Sequence, residues 1–176
     1  MNLSSVLGKH LKSNDVLEIL ERFDLQVVYV HDWDYENESD YYWAAARPQG
    51  FAMRFNAAQE LEAILCYVTA SEGFTPDLSI TGKVTASEGF TPIDPSIINE
   101  ATASEGFTSI DPSIIGESIF ENFSDAEAYC QRTGTPYQAS PATQSRSWLL
   151  TLLPSRTAQY SFEDGQLILV TLTLPP

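Results

Sequence analysis

Apolar positions recur at helical spacing through Asn14 to Phe23. Val16, Leu17, Leu20 and Phe23 share one face, while Glu18, Glu21 and Arg22 take the other. Ser13 or Asn14 can cap the start of this predicted helix. The β-branched run Leu25 to Val30 is short enough for a buried strand. After a polar stretch, His31 to Asp40, strands are predicted at Tyr41 to Ala46 and Phe51 to Phe55, with Arg47-Pro48-Gln49-Gly50 as the turn between them. Leu61 to Thr69 is mixed. Its first half passes as helix on propensity, whereas Ala63 to Val68 reads as strand because Tyr67 and Val68 suit a pleated surface better than a helix end.

Further on, Ser124-Asp125-Ala126-Glu127 has the form of a capping box, and Asp125 favours the positive end of the helix dipole. The helix it starts is expected to reach about Arg132 and stop at Gly134, with Pro136 barring re-entry. Tyr137 to Ser145 reads as polar loop. Strands are predicted at Ser147 to Leu153, Ala158 to Glu163 and Gln166 to Leu174, and Pro175-Pro176 ends the ladder. Asp164-Gly165 is a two-residue hairpin signal, since both central positions of a type I′ turn need positive φ. That turn would set Phe162 opposite Leu167 and Tyr160 opposite Leu169, and turn Ile168 and Val170 to the other face. The fold class expected is α+β: an antiparallel sheet of about six to seven strands against two helices, in one domain spanning residues 1–176.

Within that domain, residues 68–115 hold three near-copies of one segment. Val68 to Ile80 reads VTASEGFTPDLSI, Val84 to Ile98 reads VTASEGFTPIDPSII, and Ala101 to Ile115 reads ATASEGFTSIDPSII. Ser71, Ser87 and Ser104 mark periods of 16 and 17 residues. Each copy offers a turn at Ser-Glu-Gly and one aromatic anchor, Phe74, Phe90 or Phe107. A unit this short cannot bury its own apolar side chains and must lean on a neighbour or on the main domain. Two readings are open: an elongated surface loop in which one copy belongs to the parent domain, or a ribbon that serves as a partner-binding arm.

Composition narrows the function. The net charge of -15, from 24 acidic and 9 basic residues, repels nucleic acid and anionic lipid and would steer a basic partner to the protein. The bland account of the same charge is solubility alone. A hydrophobic fraction of 43 %, with Trp33, Trp43 and Trp148, is too high for a disordered acidic chain. No stretch approaches the ~20 apolar residues of a membrane span, and Met1 to Lys12 lacks the order of a secretory signal. Cys66 and Cys130 are expected as reduced core thiols, and the expected location is the cytoplasm.

The densest cluster of chemistry-bearing residues is His31-Asp32-Trp33-Asp34-Tyr35-Glu36-Asn37-Glu38-Ser39-Asp40. Acids at alternate positions share one face of an extended chain. Asp32, Asp34 and Glu36 are candidate calcium ligands by their spacing, but Asn37 and Trp43 stand where an EF-hand loop has its glycine and its bidentate glutamate. The other functional reading is a surface for a basic protein, formed by Asp32, Trp33, Asp34, Tyr35, Glu36, Glu38, Asp40, Tyr41 and Tyr42. A solvated loop is the structural alternative. With His10 and His31 as its two histidines, the chain has no zinc motif, and it carries no nucleophile elbow, phosphate loop or dinucleotide fingerprint. No cofactor is expected.

In order, VLEILERF, LQVVYV, YYWAAARPQGFAMRF, one GFTPIDPSII segment, FENFSDAEAYCQRTGTPY, SWLL and YSFEDGQLILVTL resemble the small acidic bacterial immunity proteins that partner secreted or polymorphic toxins. The resemblance covers most of the chain outside the extra repeats, and the triple repeat departs from it. It implies a protein with no active site that occludes a toxin's catalytic surface. A carboxylate-based hydrolase and a self-assembling scaffold built through the repeats, as a homo-oligomer, are the alternatives.

Overall fold

The structure, a computed structural model, describes residues 2–30, 40–71, 106–140 and 145–175. Eight strands form one antiparallel sheet: β1 (Val27–Val30), β2 (Tyr41–Ala46), β3 (Phe51–Phe55), β4 (Leu61–Tyr67), β5 (Tyr137–Ala139), β6 (Arg146–Leu153), β7 (Arg156–Glu163) and β8 (Gln166–Thr173). Their spatial order is β1-β2-β3-β4-β8-β7-β6-β5, so two meanders meet where β4 pairs with β8. Helices α1 (Asn14–Arg22) and α2 (Phe123–Thr133) complete an α+β fold. Among the described residues, no helix is long and apolar enough to cross a membrane.

Alternation along the strands sorts side chains onto two faces. One face carries Ala44, Ala46, Phe51, Met53, Phe55, Ile64, Cys66, Leu149, Tyr160, Phe162, Val170 and Leu172. These form a single core with α1, α2 and the N-terminal segment that contributes Leu3, Val6 and Leu11. The N-terminal segment is tied to β4 through the Gly8 amide, which donates to the Leu61 carbonyl at 2.8 Å, and the Leu61 amide, which donates to the Lys9 carbonyl at 2.9 Å. The opposite face holds a smaller cluster of Val30, Tyr41, Trp43, Ala52, Tyr67 and Phe107.

Several local expectations are corrected. On α1 the buried residues are Val16, Ile19 and Leu20, whereas Leu17 is 38 % exposed. Leu17 lies ~100° round the helix from Val16, and Ile19 sits within the apolar stripe instead. Phe23 caps the helix and sets its ring edge-on against Phe51, 5.5 Å between centroids. Leu61–Tyr67 is strand along its whole length, including the half that helix propensity favours. The cap of α2 is Asn122 rather than Ser124. The Asn122 side chain accepts from the Asp125 amide at 3.0 Å and donates to the Asp125 carboxylate at 2.8 Å. Starting two residues early brings Phe123 into the first turn, where its ring meets Phe162 edge-on at 5.6 Å.

Tyr137–Ala139, expected as loop, is the eighth strand, paired with Leu149–Thr151 of β6. Three residues are too few to show a period. The β7–β8 hairpin turns at Asp164 (φ 49) and Gly165 (φ 82), and Phe162 does face Leu167. A bulge then shifts the register, so Tyr160 faces Val170 and Ser161 faces Leu169. The extra residue, Ile168, lets both Leu167 and Val170 point into the core. Its freed carbonyl accepts from the amides of Val68 at 2.9 Å and Thr69 at 3.4 Å, where the repeat begins.

Candidate functional site

Two places stand out, at opposite ends of the sheet. The first is the end of β1 and the start of β2, whose last pair is Val30 with Tyr41. Of the residues read from the sequence as a partner-binding face, Asp32, Trp33, Asp34, Tyr35, Glu36 and Glu38 lie outside the described residues, as do the calcium candidates Asp32, Asp34 and Glu36. Asp40, Tyr41 and Tyr42 are described. Tyr41 is 7 % exposed, so the ring expected at the surface is buried on the second sheet face, beneath the Arg54 guanidinium at 4.6 Å. Arg54 in turn pairs with Glu62 at 3.0 Å. Tyr42 falls on the other face because successive strand residues alternate, and it packs half-buried against the main core.

Asp40 is half-buried and accepts a hydrogen bond from the Tyr29 hydroxyl. The Tyr29 ring leans on Tyr42, 5.2 Å between centroids. Burial, reinforced by the hydrogen bond and the charge of Asp40, pushes the Tyr29 phenol up to about 12. This end of the hairpin is therefore a fixed Tyr29–Asp40–Tyr42 platform from which the acidic connection departs. Residues 31–39 and 72–105 together hold ten of the 24 acidic side chains but one of the nine basic ones, Lys83. They carry nine of the fifteen net negative charges.

The second place lies at the opposite end of β4. Here Val68–Ser71 from the first repeat copy meets Gly106–Ile115 from the third; the rest of the repeat falls outside the described residues. Ser71 and Phe107 exchange both backbone hydrogen bonds, at 3.0 and 2.6 Å. Phe107, 2 % exposed, stacks on Tyr67 at 4.1 Å, and the Arg47 guanidinium stands 5.3 Å from its ring centroid. The Thr108 amide donates to the Arg47 carbonyl at 3.0 Å, and its hydroxyl donates to the Pro48 carbonyl at 2.7 Å. The Ile110 amide donates to the Tyr67 carbonyl at 2.8 Å.

Gly50 makes that approach possible: at φ 73, a Cβ there would stand 2.3 Å from the Thr108 carbonyl oxygen and 2.5 Å from the Ile110 nitrogen. Asp111 then caps a short 3-10 turn, Pro112–Ile114, by accepting from the Ser113 amide at 2.9 Å, a bond that lowers its carboxyl below the usual range. Ile115 is fully buried. The sequence hinted at this socket through the Phe of each repeat and the glycine of Arg47-Pro48-Gln49-Gly50, but not through Tyr67 and Arg47, which only the pairing of β3 with β4 brings beside it.

Elsewhere, Trp148 on β6 is 38 % exposed and shares the non-core face with half-buried Leu150 and Leu152. Glu117, nearly buried, pairs with Arg156 at the start of β7. Cys66 and Cys130 are both buried free thiols, and burial pushes Cys66 up to about 12. Among the described residues, no group of three or more His, Cys, Asp or Glu is placed to hold a metal ion. Comparison of the chain with protein-family models, with curated proteins and with solved structures gave no match.

Proposed function

We propose that the protein is a stoichiometric inhibitor of the immunity type, which binds a basic protein domain, a cognate toxin, and blocks it without catalysis. The observation that carries this reading is the uneven charge. Six of the fifteen net negative charges fall on the described residues, while between β1 and β2 Asp32, Asp34, Glu36 and Glu38 alternate with Trp33 and Tyr35 in the sequence. Repulsion among neighbouring carboxylates raises the free energy of the unbound state, and a cationic surface relieves it. The rings supply the apolar contact that a charge pair alone lacks. Tyr41, being buried, is not part of this face. Tyr29, Asp40 and Tyr42 bind together the ends of the two strands that flank residues 31–39.

The buried, unpaired state of Cys66 and Cys130 supports action in a reducing cytoplasm. Affinity capture from the native lysate tests the reading: one basic protein should be recovered at a 1:1 ratio, with binding weakened by salt. Reversing charge at Asp32, Asp34 and Glu36 together should reduce capture at least tenfold. Recovery of no basic protein, or capture indifferent to those three substitutions, defeats it.

A further inference from the structure

The Ser71–Phe107 pairing crosses 35 intervening residues, yet its two backbone bonds are those that close a two-residue hairpin. The first copy places Phe74 at that very spacing from Ser71, and the partner is nevertheless Phe107. The residues after each phenylalanine explain the choice. Phe107 is succeeded by Thr108, which bonds to the carbonyls of Arg47 and Pro48, and by Ile110, which is buried and bonds to Tyr67. Asp111 and Pro112 then form the capped turn, and Ile115 is buried. After Phe74 the chain runs Thr75-Pro76-Asp77-Leu78, which puts a carboxylate where Ile110 is buried. The first copy therefore cannot complete the contact.

The second copy can. Phe90-Thr91-Pro92-Ile93-Asp94-Pro95-Ser96-Ile97-Ile98 reproduces every anchoring residue of Phe107 to Ile115, and its one substitution is Pro92 for the exposed Ser109. We propose that the Tyr67–Arg47–Gly50 socket is a docking site for either of two segments of this chain, holding the second copy when the third is not seated. The next residue sets the order of preference. Gly116 has φ 82, and a Cβ there would meet the Asn2 side-chain oxygen at 1.9 Å. The second copy has Asn99 at that position, so seating it displaces the Asn2 side chain that caps the first turn through the Ser4 amide. The third copy is thus the ground-state occupant and the second the reserve. The choice between copies is independent of the inhibitor reading.

The test is a double-mutant cycle on the full chain, with Phe90→Ala, Phe107→Ala and the double variant followed by thermal unfolding. Phe90→Ala should leave the melting temperature unchanged. Phe107→Ala should lower it by a fraction of the loss seen in the double variant, so that the double loss exceeds the sum of the two single losses. In Phe107→Ala, slow amide hydrogen exchange should move from Thr108 and Ile110 to Thr91 and Ile93. A Phe107→Ala variant that loses as much as the double, that fails to fold, or that shows additive losses without transfer of protection overturns the proposal.

Discussion

Replacing Gly50 with alanine isolates the contact that holds the end of the repeat to the sheet. Gly50 sits at φ 73, where a Cβ costs about 1 kcal/mol by itself. The steric cost is larger. The new carbon would lie 2.3 Å from the Thr108 oxygen, 2.5 Å from the Ile110 nitrogen and 2.9 Å from the Ile110 Cα. All three are backbone atoms, so no rotamer change relieves the clash and the Thr108–Ile110 segment must lift. Lifting it breaks the Thr108 bonds to Arg47 and Pro48 and the Ile110 bond to Tyr67, each worth about 1 kcal/mol net. Phe107 and Ile110 are partly re-exposed as well. The expected loss is about 4 kcal/mol, or about 12 °C in melting temperature for a chain of this size.

Gly134 supplies the control. It too has positive φ, 69, but a Cβ there meets nothing within 4 Å. Gly134→Ala should therefore cost only the conformational part, about 1 kcal/mol and about 3 °C. Thermal unfolding by circular dichroism reads both variants, and hydrogen exchange at Thr108 and Ile110 shows whether the segment has lifted in Gly50→Ala. Equal shifts for the two alanine variants, with those amides still protected, would refute the reasoning.

Excising Thr85 to Ala101, one full period, halves the connection between Ser71 and Phe107. It should stabilise the fold by about 0.6 kcal/mol through reduced loop-closure entropy; loss of a cooperative urea transition would instead place the repeats in the core. Arg156→Met leaves the nearly buried Glu117 without its cation, and should cost about 2 kcal/mol after discounting the partial exposure of Arg156; an unchanged urea midpoint would contradict this. Tyr29 has a folded pKa of about 12 against an ordinary value of 10.0. Its contribution to stability is therefore intact below pH 10 and lost as pH rises from about 10 to about 12, because the unfolded chain releases the phenolic proton first. Alkaline difference absorbance should show late Tyr29 ionisation that moves earlier in Asp40→Asn, and a profile identical to wild type would argue against the Tyr29–Asp40 contact. Cys66 and Cys130 should stay inert to an aromatic disulfide reagent in the folded protein and react together on unfolding; fast labelling of either under native conditions would show that the core is open.

Local physics written in the sequence settled the strands around Arg47-Pro48-Gln49-Gly50 and the Asp164-Gly165 hairpin, because turn residues with demanding φ values fix where the chain reverses. The helical period found α1. The same patterns misplaced Leu17, since four apolar residues in nine leave the edge of the stripe ambiguous, and only contact with the sheet chose Ile19. They also missed β5, a three-residue strand that exists because β6 offers it a ladder. Tertiary structure alone decided that Tyr41 is covered and Tyr42 faces the core, that a bulge at Ile168 re-aims β8, and that Phe107 is the copy seated beside Tyr67. Repeats with the same local sequence have the same local preferences. The choice among them therefore rests on the few residues, Ile110 and Gly116 above all, that distinguish what each copy meets on arriving at the sheet.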